Sequence, residues 1–241
     1  MRISVDEVIK RFDGESALEG ISFEVPAGTL LAVLGANGAG KTTLLRALAT
    51  IYLPDSGWIE LDGRRLSRED LQLRRRLAYL PDERTGTPGA TVLEHVALVL
   101  RLYEAERLGI EEQVLELLDA FDLLPHAERA LGQLSRGQAY KAQLIALLAA
   151  EPDLLLLDEP FASGVDPSGL FAMKERVRAV TARGGTVVYT TQVLEAAERF
   201  ADRVLVLHEG RVAASGPLDE LETAAGASAL EHLFRKLRDP T

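Results

Sequence analysis

Short apolar runs and longer helical stripes alternate along this chain. Ile3 to Val8, Ile21 to Val25 and Leu30 to Leu34 read as strands, with Pro26-Ala27-Gly28 turning between the last two. They predict an antiparallel meander feeding a first core strand. A helix over Lys41 to Ile51 stops before Pro54, Trp58-Ile59-Glu60-Leu61 alternates as a strand before the Asp62-Gly63 turn, and Leu77 to Leu80 is a short strand ended by Pro81. From Thr91 to about Ala150 the period becomes helical, with apolar residues at Val92, Val96, Val99, Leu100 and Tyr103, then Val114, Leu117, Leu118 and Phe121. This is an inserted helical segment, entered through Thr85-Gly86-Thr87-Pro88-Gly89. After Pro152, strand-like runs Leu154 to Leu157, Thr186 to Thr190 and Val204 to Leu207 alternate with helical stretches near Ser168 to Arg183 and Leu194 to Phe200. Such alternation predicts a parallel sheet built from βα units. The tail from Leu218 to Leu237 reads as two short helices with no assigned role.

Composition narrows the function classes. The 241 residues are 47% hydrophobic, enough for a large α/β core. A formal net charge of -10 argues against a general nucleic-acid surface, because duplex binding draws on Lys and Arg to neutralise phosphates. The absence of cysteine excludes disulfides, thiolate metal sites and cysteine nucleophiles. Apolar stretches such as Leu144 to Ala150 fall well short of the ~18 residues needed to cross a bilayer, and the first residues lack a signal-peptide run. The expectation is a soluble, cytoplasmic protein.

The chemistry starts at Gly35-Ala36-Asn37-Gly38-Ala39-Gly40-Lys41-Thr42-Thr43, which meets every fixed position of G-x-x-x-x-G-K-[ST] directly after the strand Leu30 to Leu34. Glycines let successive backbone N–H groups point at phosphate oxygens, Lys41 supplies positive charge, and the Thr42 hydroxyl is a ligand for Mg²⁺. The helix starting at Lys41 adds its dipole to the same anion site. Downstream, Leu154-Leu155-Leu156-Leu157-Asp158-Glu159-Pro160 is a buried strand capped by two carboxylates. Asp158 suits a Mg²⁺ water shell, and Glu159 suits a base that orients or deprotonates an attacking water.

Leu134-Ser135-Arg136-Gly137-Gln138, placed one helix before the carboxylate strand, completes an order of motifs that resembles the ATP-binding cassette (ABC) ATPases over nearly the whole chain. The resemblance implies a P-loop NTPase of the α/β class with a RecA-like parallel core sheet, an N-terminal antiparallel β meander and an inserted α-helical subdomain. It divides the chain into residues 1–84 (core with the antiparallel part and phosphate loop), 85–151 (helical signature subdomain), 152–217 (second half of the core) and 218–241 (helical tail). Ser135, Gly137 and Gln138 would then face the γ-phosphate of ATP held by a second nucleotide-binding subunit, identical or not. Phe12 stands where the family stacks an aromatic ring on adenine. Asp166, in Phe161-Ala162-Ser163-Gly164-Val165-Asp166-Pro167, either communicates across the dimer or caps the helix that follows.

Three positions depart from the family. Asp82 replaces a Gln that senses Mg²⁺ and the attacking water; it remains a competent metal ligand but adds negative charge near the γ-phosphate. Gln192 replaces a switch His and is unable to become cationic, which predicts slowed hydrolysis. Arg136 replaces a glycine, and its guanidinium either reaches a phosphate or faces solvent. The implied protein is the ATP- and Mg²⁺-dependent subunit of a transporter, peripheral on the inner face of the membrane. It would drive a separate transmembrane permease that docks around Asp82 to His95. The alternatives are a non-transport ATPase of the iron–sulfur assembly type and an ATP-sensing regulatory subunit.

Overall fold

In the computed structural model, which describes residues 1–223, strands β1 (Ile3–Phe12) and β2 (Glu15–Val25) form an antiparallel hairpin. Its turn is Asp13-Gly14, with both residues at positive φ, the geometry that matches the twist of paired strands. β3 (Leu30–Leu34) leaves this hairpin for another sheet, and α1 (Lys41–Leu48) follows the loop after it. β4 (Ser56–Leu61) and β5 (Arg64–Arg65) return to β1, giving a four-stranded sheet of order β2-β1-β4-β5. The antiparallel part is therefore a hairpin completed by strands from beyond the phosphate loop. α1 ends before Ile51 because Thr50 takes a φ of 62°, outside helical space.

The chain continues through α2 (Leu71–Arg74), β6 (Leu77–Leu80), α3 (Val92–Leu102), α4 (Ile110–Ala120) and α5 (Arg136–Ala149). It then runs through β7 (Leu154–Leu157), α6 (Pro167–Ala182), β8 (Thr186–Thr191), α7 (Leu194–Phe200), β9 (Arg203–His208), β10 (Arg211–Pro217) and α8 (Leu218–Thr223). The larger sheet has the order β10-β9-β3-β8-β7-β6, parallel throughout except for the antiparallel edge strand β10. The second helix expected between 218 and 237 lies outside the described residues.

Strand alternation divides the core into two layers. Leu30, Ala32, Leu34, Leu155, Leu157, Val187, Tyr189, Val204 and Val206 face one layer, which also contains α3 to α6. Leu31, Val33, Leu154, Leu156, Val188, Leu205 and Leu207 face the other, packing on α1 and the antiparallel sheet. Both faces are covered, which is why these strands read as continuous apolar runs. The helices start where their sequences specify. Thr91 and Glu94 form a reciprocal capping box on α3, and Asp166 caps α6 just before Pro167 at its first position.

Candidate functional site

Four neighbouring strands, β3, β8, β7 and β6, end side by side, and their carboxyl ends carry the phosphate loop, Gln192, Asp158-Glu159 and Asp82 respectively. Parallel α/β sheets bind ligands at this edge. The loop turns through Gly38 and Gly40, at φ 82° and 100°, to place Lys41 at the first position of α1. A Cβ on Gly40 would stand 2.6 Å from the Ala17 carbonyl, so only glycine lets the loop pass β2. An open depression of about 230 Å³ is lined by Ala17, the backbone from Asn37 to Thr43, and Glu159.

Lys41 is buried, and its ammonium donates to the carbonyls of Gly35 at 2.9 Å and Ala36 at 3.2 Å. It also lies 3.3 Å from Glu159 Oε1. Glu159 has a φ of 46°, unusual for a residue with a side chain. That backbone is held by its own N–H, which donates to Thr190 Oγ1 at 2.8 Å, and by its carbonyl, which accepts from Ala162 N–H at 3.0 Å.

Asp158 is buried and accepts three hydrogen bonds. Thr190 Oγ1 donates to Oδ1 at 2.6 Å, Thr42 Oγ1 donates to Oδ1 at 3.1 Å, and Tyr79 OH donates to Oδ2 at 3.2 Å. Burial pushes the Tyr79 hydroxyl up to about 12, so it stays a donor at neutral pH. Thr42 and Asp158 together offer hard oxygen ligands, and no cluster of three or more His, Cys, Asp or Glu suited to a metal exists among the described residues. That sparse donor set suits Mg²⁺, which takes one or two protein oxygens and fills its octahedron with water and phosphate.

The remaining predicted residues lie apart from this group. Ser135 is the N-cap of α5: its hydroxyl accepts from Gln138 N–H at 3.2 Å, and the Gln138 side chain accepts from Ser135 N–H at 3.0 Å. The capping box leaves the N–H groups of Arg136 and Gly137 without intrahelical partners. A Cβ on Gly137 would stand 2.2 Å from the Gly164 carbonyl, so the helix start lies directly on the loop after the carboxylate strand. Asp166 accepts from Gly169 N–H at 2.7 Å as the cap of α6 and from the buried Lys141 at 2.8 Å. Of the two readings of Asp166, the cap is the one seen here.

Phe12 meets Tyr52 edge to face at 5.0 Å and has the Lys10 ammonium 5.5 Å from its ring centre, leaving the ring partly exposed. Gln192 is exposed, with no hydrogen bond from its side chain to any described residue. Asp82 accepts from Arg136 at 2.6 Å, so the Arg136 guanidinium is engaged by a carboxylate. In the sequence, Thr190 and Tyr79 stand out only as strand residues. Their part in holding Asp158 depends on contacts across 32 and 79 positions, for which a single sequence carries no local signal.

The sequence model of the ABC transporter family matches residues 18–162. The chain is 37% identical over 234 residues to the daunorubicin resistance ATP-binding protein DrrA3 of Streptomyces coeruleorubidus, covering 97% of this chain and 74% of that protein. It is 36% identical over 230 residues to the Nod factor export ATP-binding protein I of Burkholderia pseudomallei strain 1710b, covering 95% of this chain and 75% of that one. A solved ATP-binding subunit of an ABC transporter superposes with a TM-score of 0.92 at 29% identity over 99% of this chain and all of the other. A dimeric bacterial ABC transporter cassette superposes at 0.80 with 25% identity, over 90% and 98% of the two chains.

Proposed function

We propose that this chain, which belongs to the ABC transporter family, binds and hydrolyses MgATP at a dimer interface to drive a separate membrane permease of the export type. The observation that carries this reading is the convergence of Lys41, Thr42, Asp158 and Glu159 at the edge of one parallel sheet. Lys41 and the loop N–H groups from Asn37 to Thr43 bind the phosphates, with Gly35 shaping the turn. Phe12 supplies a face for the base, backed by Lys10 and Tyr52. Thr42 and Asp158 would hold Mg²⁺, whose charge when bound neutralises the phosphates. Glu159 takes the proton of the attacking water.

Phosphate binding also readies that base. The ammonium that must engage the phosphates lies against Glu159. Drawing Lys41 toward the nucleotide releases the carboxylate. Gln192, neutral at the end of β8, supplies no cation to the developing charge, so turnover is slow. Ser135, Gly137 and Gln138 at the start of α5 complete the site of a second cassette through the unpaired N–H groups of the first turn. The division into core (1–84 and 152–217), helical subdomain (85–151) and tail (218–241) belongs to the same proposal.

The permease reading rests on a cleft of about 400 Å³ between core and helical part. Ile51, Leu71 and Leu77 from the core and Leu102 and Tyr103 at the end of α3 line it, together with Arg74 and Arg75. Ile51, Leu71 and Leu102 are exposed apolar side chains. None of the lining residues falls in the Asp82 to His95 stretch expected from sequence, and His95 within that stretch is buried. No described helix is long and apolar enough to cross a membrane, so the reading places the channel in another chain, with this one peripheral on the cytoplasmic side. The relatives named for resistance and export support a permease of that kind. Affinity purification from detergent-solubilised membranes should recover a polytopic membrane protein. Recovery with soluble proteins alone would overturn the transport reading.

A further inference from the structure

Tyr140 presents an unexplained buried group. It lies one turn beyond Arg136 on α5, so the two share a face of the helix. It is only 4% exposed, and its hydroxyl has no hydrogen-bond partner among the described residues. The other buried polar side chains of α5 are paired: Lys141 with Asp166, and Gln143 with Thr85 and the Ala139 carbonyl. A buried hydroxyl without a partner is costly and calls for an explanation.

The groups around it supply one. α5 packs on β6, whose end leads to Asp82. Burial first, then the negative charges of Asp82 and Asp158, hold the Tyr140 hydroxyl well above its ordinary value and keep it a donor. Asp158 already accepts from Thr42, Thr190 and Tyr79. Among the described residues Asp82 has one partner, the half-exposed Arg136, and its second oxygen carries no hydrogen bond. Exposed ion pairs of this kind are weak. A carboxylate with spare capacity thus stands near a buried donor that has no acceptor.

We propose that Asp82 exchanges Arg136 for the hydroxyl of Tyr140 when MgATP occupies the site, which makes Tyr140 the residue that positions Asp82 toward the phosphates. The proposal rests on the nucleotide-site reading above. Turning inward carries Asp82 toward Asp158, and two carboxylates repel unless positive charge lies between them. The outward pair with Arg136 is therefore the resting state, and the inward contact belongs to the loaded site. The exchange also releases Arg136 at the start of α5, coupling occupancy of this site to the segment offered to a second cassette.

Nucleotide affinity measured by calorimetry, with Mg²⁺ and with EDTA, separates the contributions. Tyr140→Phe should weaken MgATP binding by about tenfold, the worth of one hydrogen bond to a charged acceptor. Binding of metal-free ATP should not change. Adding Tyr140→Phe to Asp82→Asn should cause no further loss, and Arg136→Ala, which frees Asp82, should tighten MgATP binding. The melting temperature of nucleotide-free Tyr140→Phe should hold or rise, because an unpaired hydroxyl is removed. A fall in that temperature would show the hydroxyl already bonded at rest and overturn the proposal. So would equal weakening with and without metal, no weakening at all, or losses that multiply in the double variant. Absence of ATP binding by the unaltered chain in either buffer would instead refute the nucleotide-site reading.

Discussion

Thr190→Val removes one oxygen atom and leaves the shape of the side chain almost unchanged. Thr190 is fully buried on β8, and that oxygen does two things: it donates to Asp158 at 2.6 Å and accepts from the Glu159 N–H at 2.8 Å. Without it, the Glu159 N–H loses its acceptor at about 1–3 kcal/mol, and Asp158 loses a charge-assisted bond worth about 1.5–3 kcal/mol. The two share an atom and do not add fully, so the expected loss is about 2–4 kcal/mol. In a chain of 241 residues each kcal/mol moves the melting midpoint by about 2–4 °C, giving a fall of roughly 5–15 °C. Thermal melting followed by circular dichroism reads this directly. A titration with fluorescent nucleotide should also show weakened MgATP binding, because Asp158 is no longer held beside Thr42. Thr190→Ser, which keeps the hydroxyl, should recover most of both effects. A midpoint for Thr190→Val within about 1 °C of the unaltered chain would refute the reasoning.

Three further outcomes follow from the geometry. Gly137→Ala should destabilise the chain by about 1–3 kcal/mol despite alanine's better helix propensity, since its Cβ would meet the Gly164 carbonyl at 2.2 Å; urea denaturation with an unchanged m-value would measure it. Asp166→Asn keeps a capping oxygen for α6 but leaves the buried Lys141 without its countercharge, and should lower the urea midpoint more at low salt than at high salt. Burial holds the His95 imidazole below its ordinary pKa, so the unfolded chain binds that proton first as pH falls. The stabilisation is full above the unfolded pKa of about 6.5 and is lost as pH falls from there through the folded value, so His95→Gln should flatten the stability profile between about pH 7 and 5.

The sequence carried the local features of the site well and its long-range contacts poorly. Leu30 to Leu34 and Leu154 to Leu157 are visible as core strands because both faces are buried, and the helical segment is visible from Thr91 because Val92, Val96 and Leu100, which recur at helical spacing, are all buried. Asp13-Gly14 is a turn dipeptide, but the polar ends of β1 and β2 dilute the strand pattern on either side of it and hide the hairpin. β10 is hidden for a related reason: its alternation rests on Val212 and Ala214, which are only partly buried at the sheet edge. At the site, the loop, Asp158 and Glu159 stand in contiguous motifs. The exchangeable surroundings do not. Asp82 was expected near the metal and is found with Arg136, 54 positions away. That pairing joins two of the three departures from the family, each of which looked independent in the linear sequence.

The central claim is that Lys41, Thr42, Asp158 and Glu159 form a competent ATPase site slowed by the neutral side chain of Gln192. Steady-state ATP turnover of Gln192→His, measured with and without the additional change Glu159→Gln, tests it most directly. The account predicts a gain on the order of 10² in turnover from the histidine, lost when Glu159 is also replaced. No gain, or a gain that survives the loss of Glu159, would contradict it.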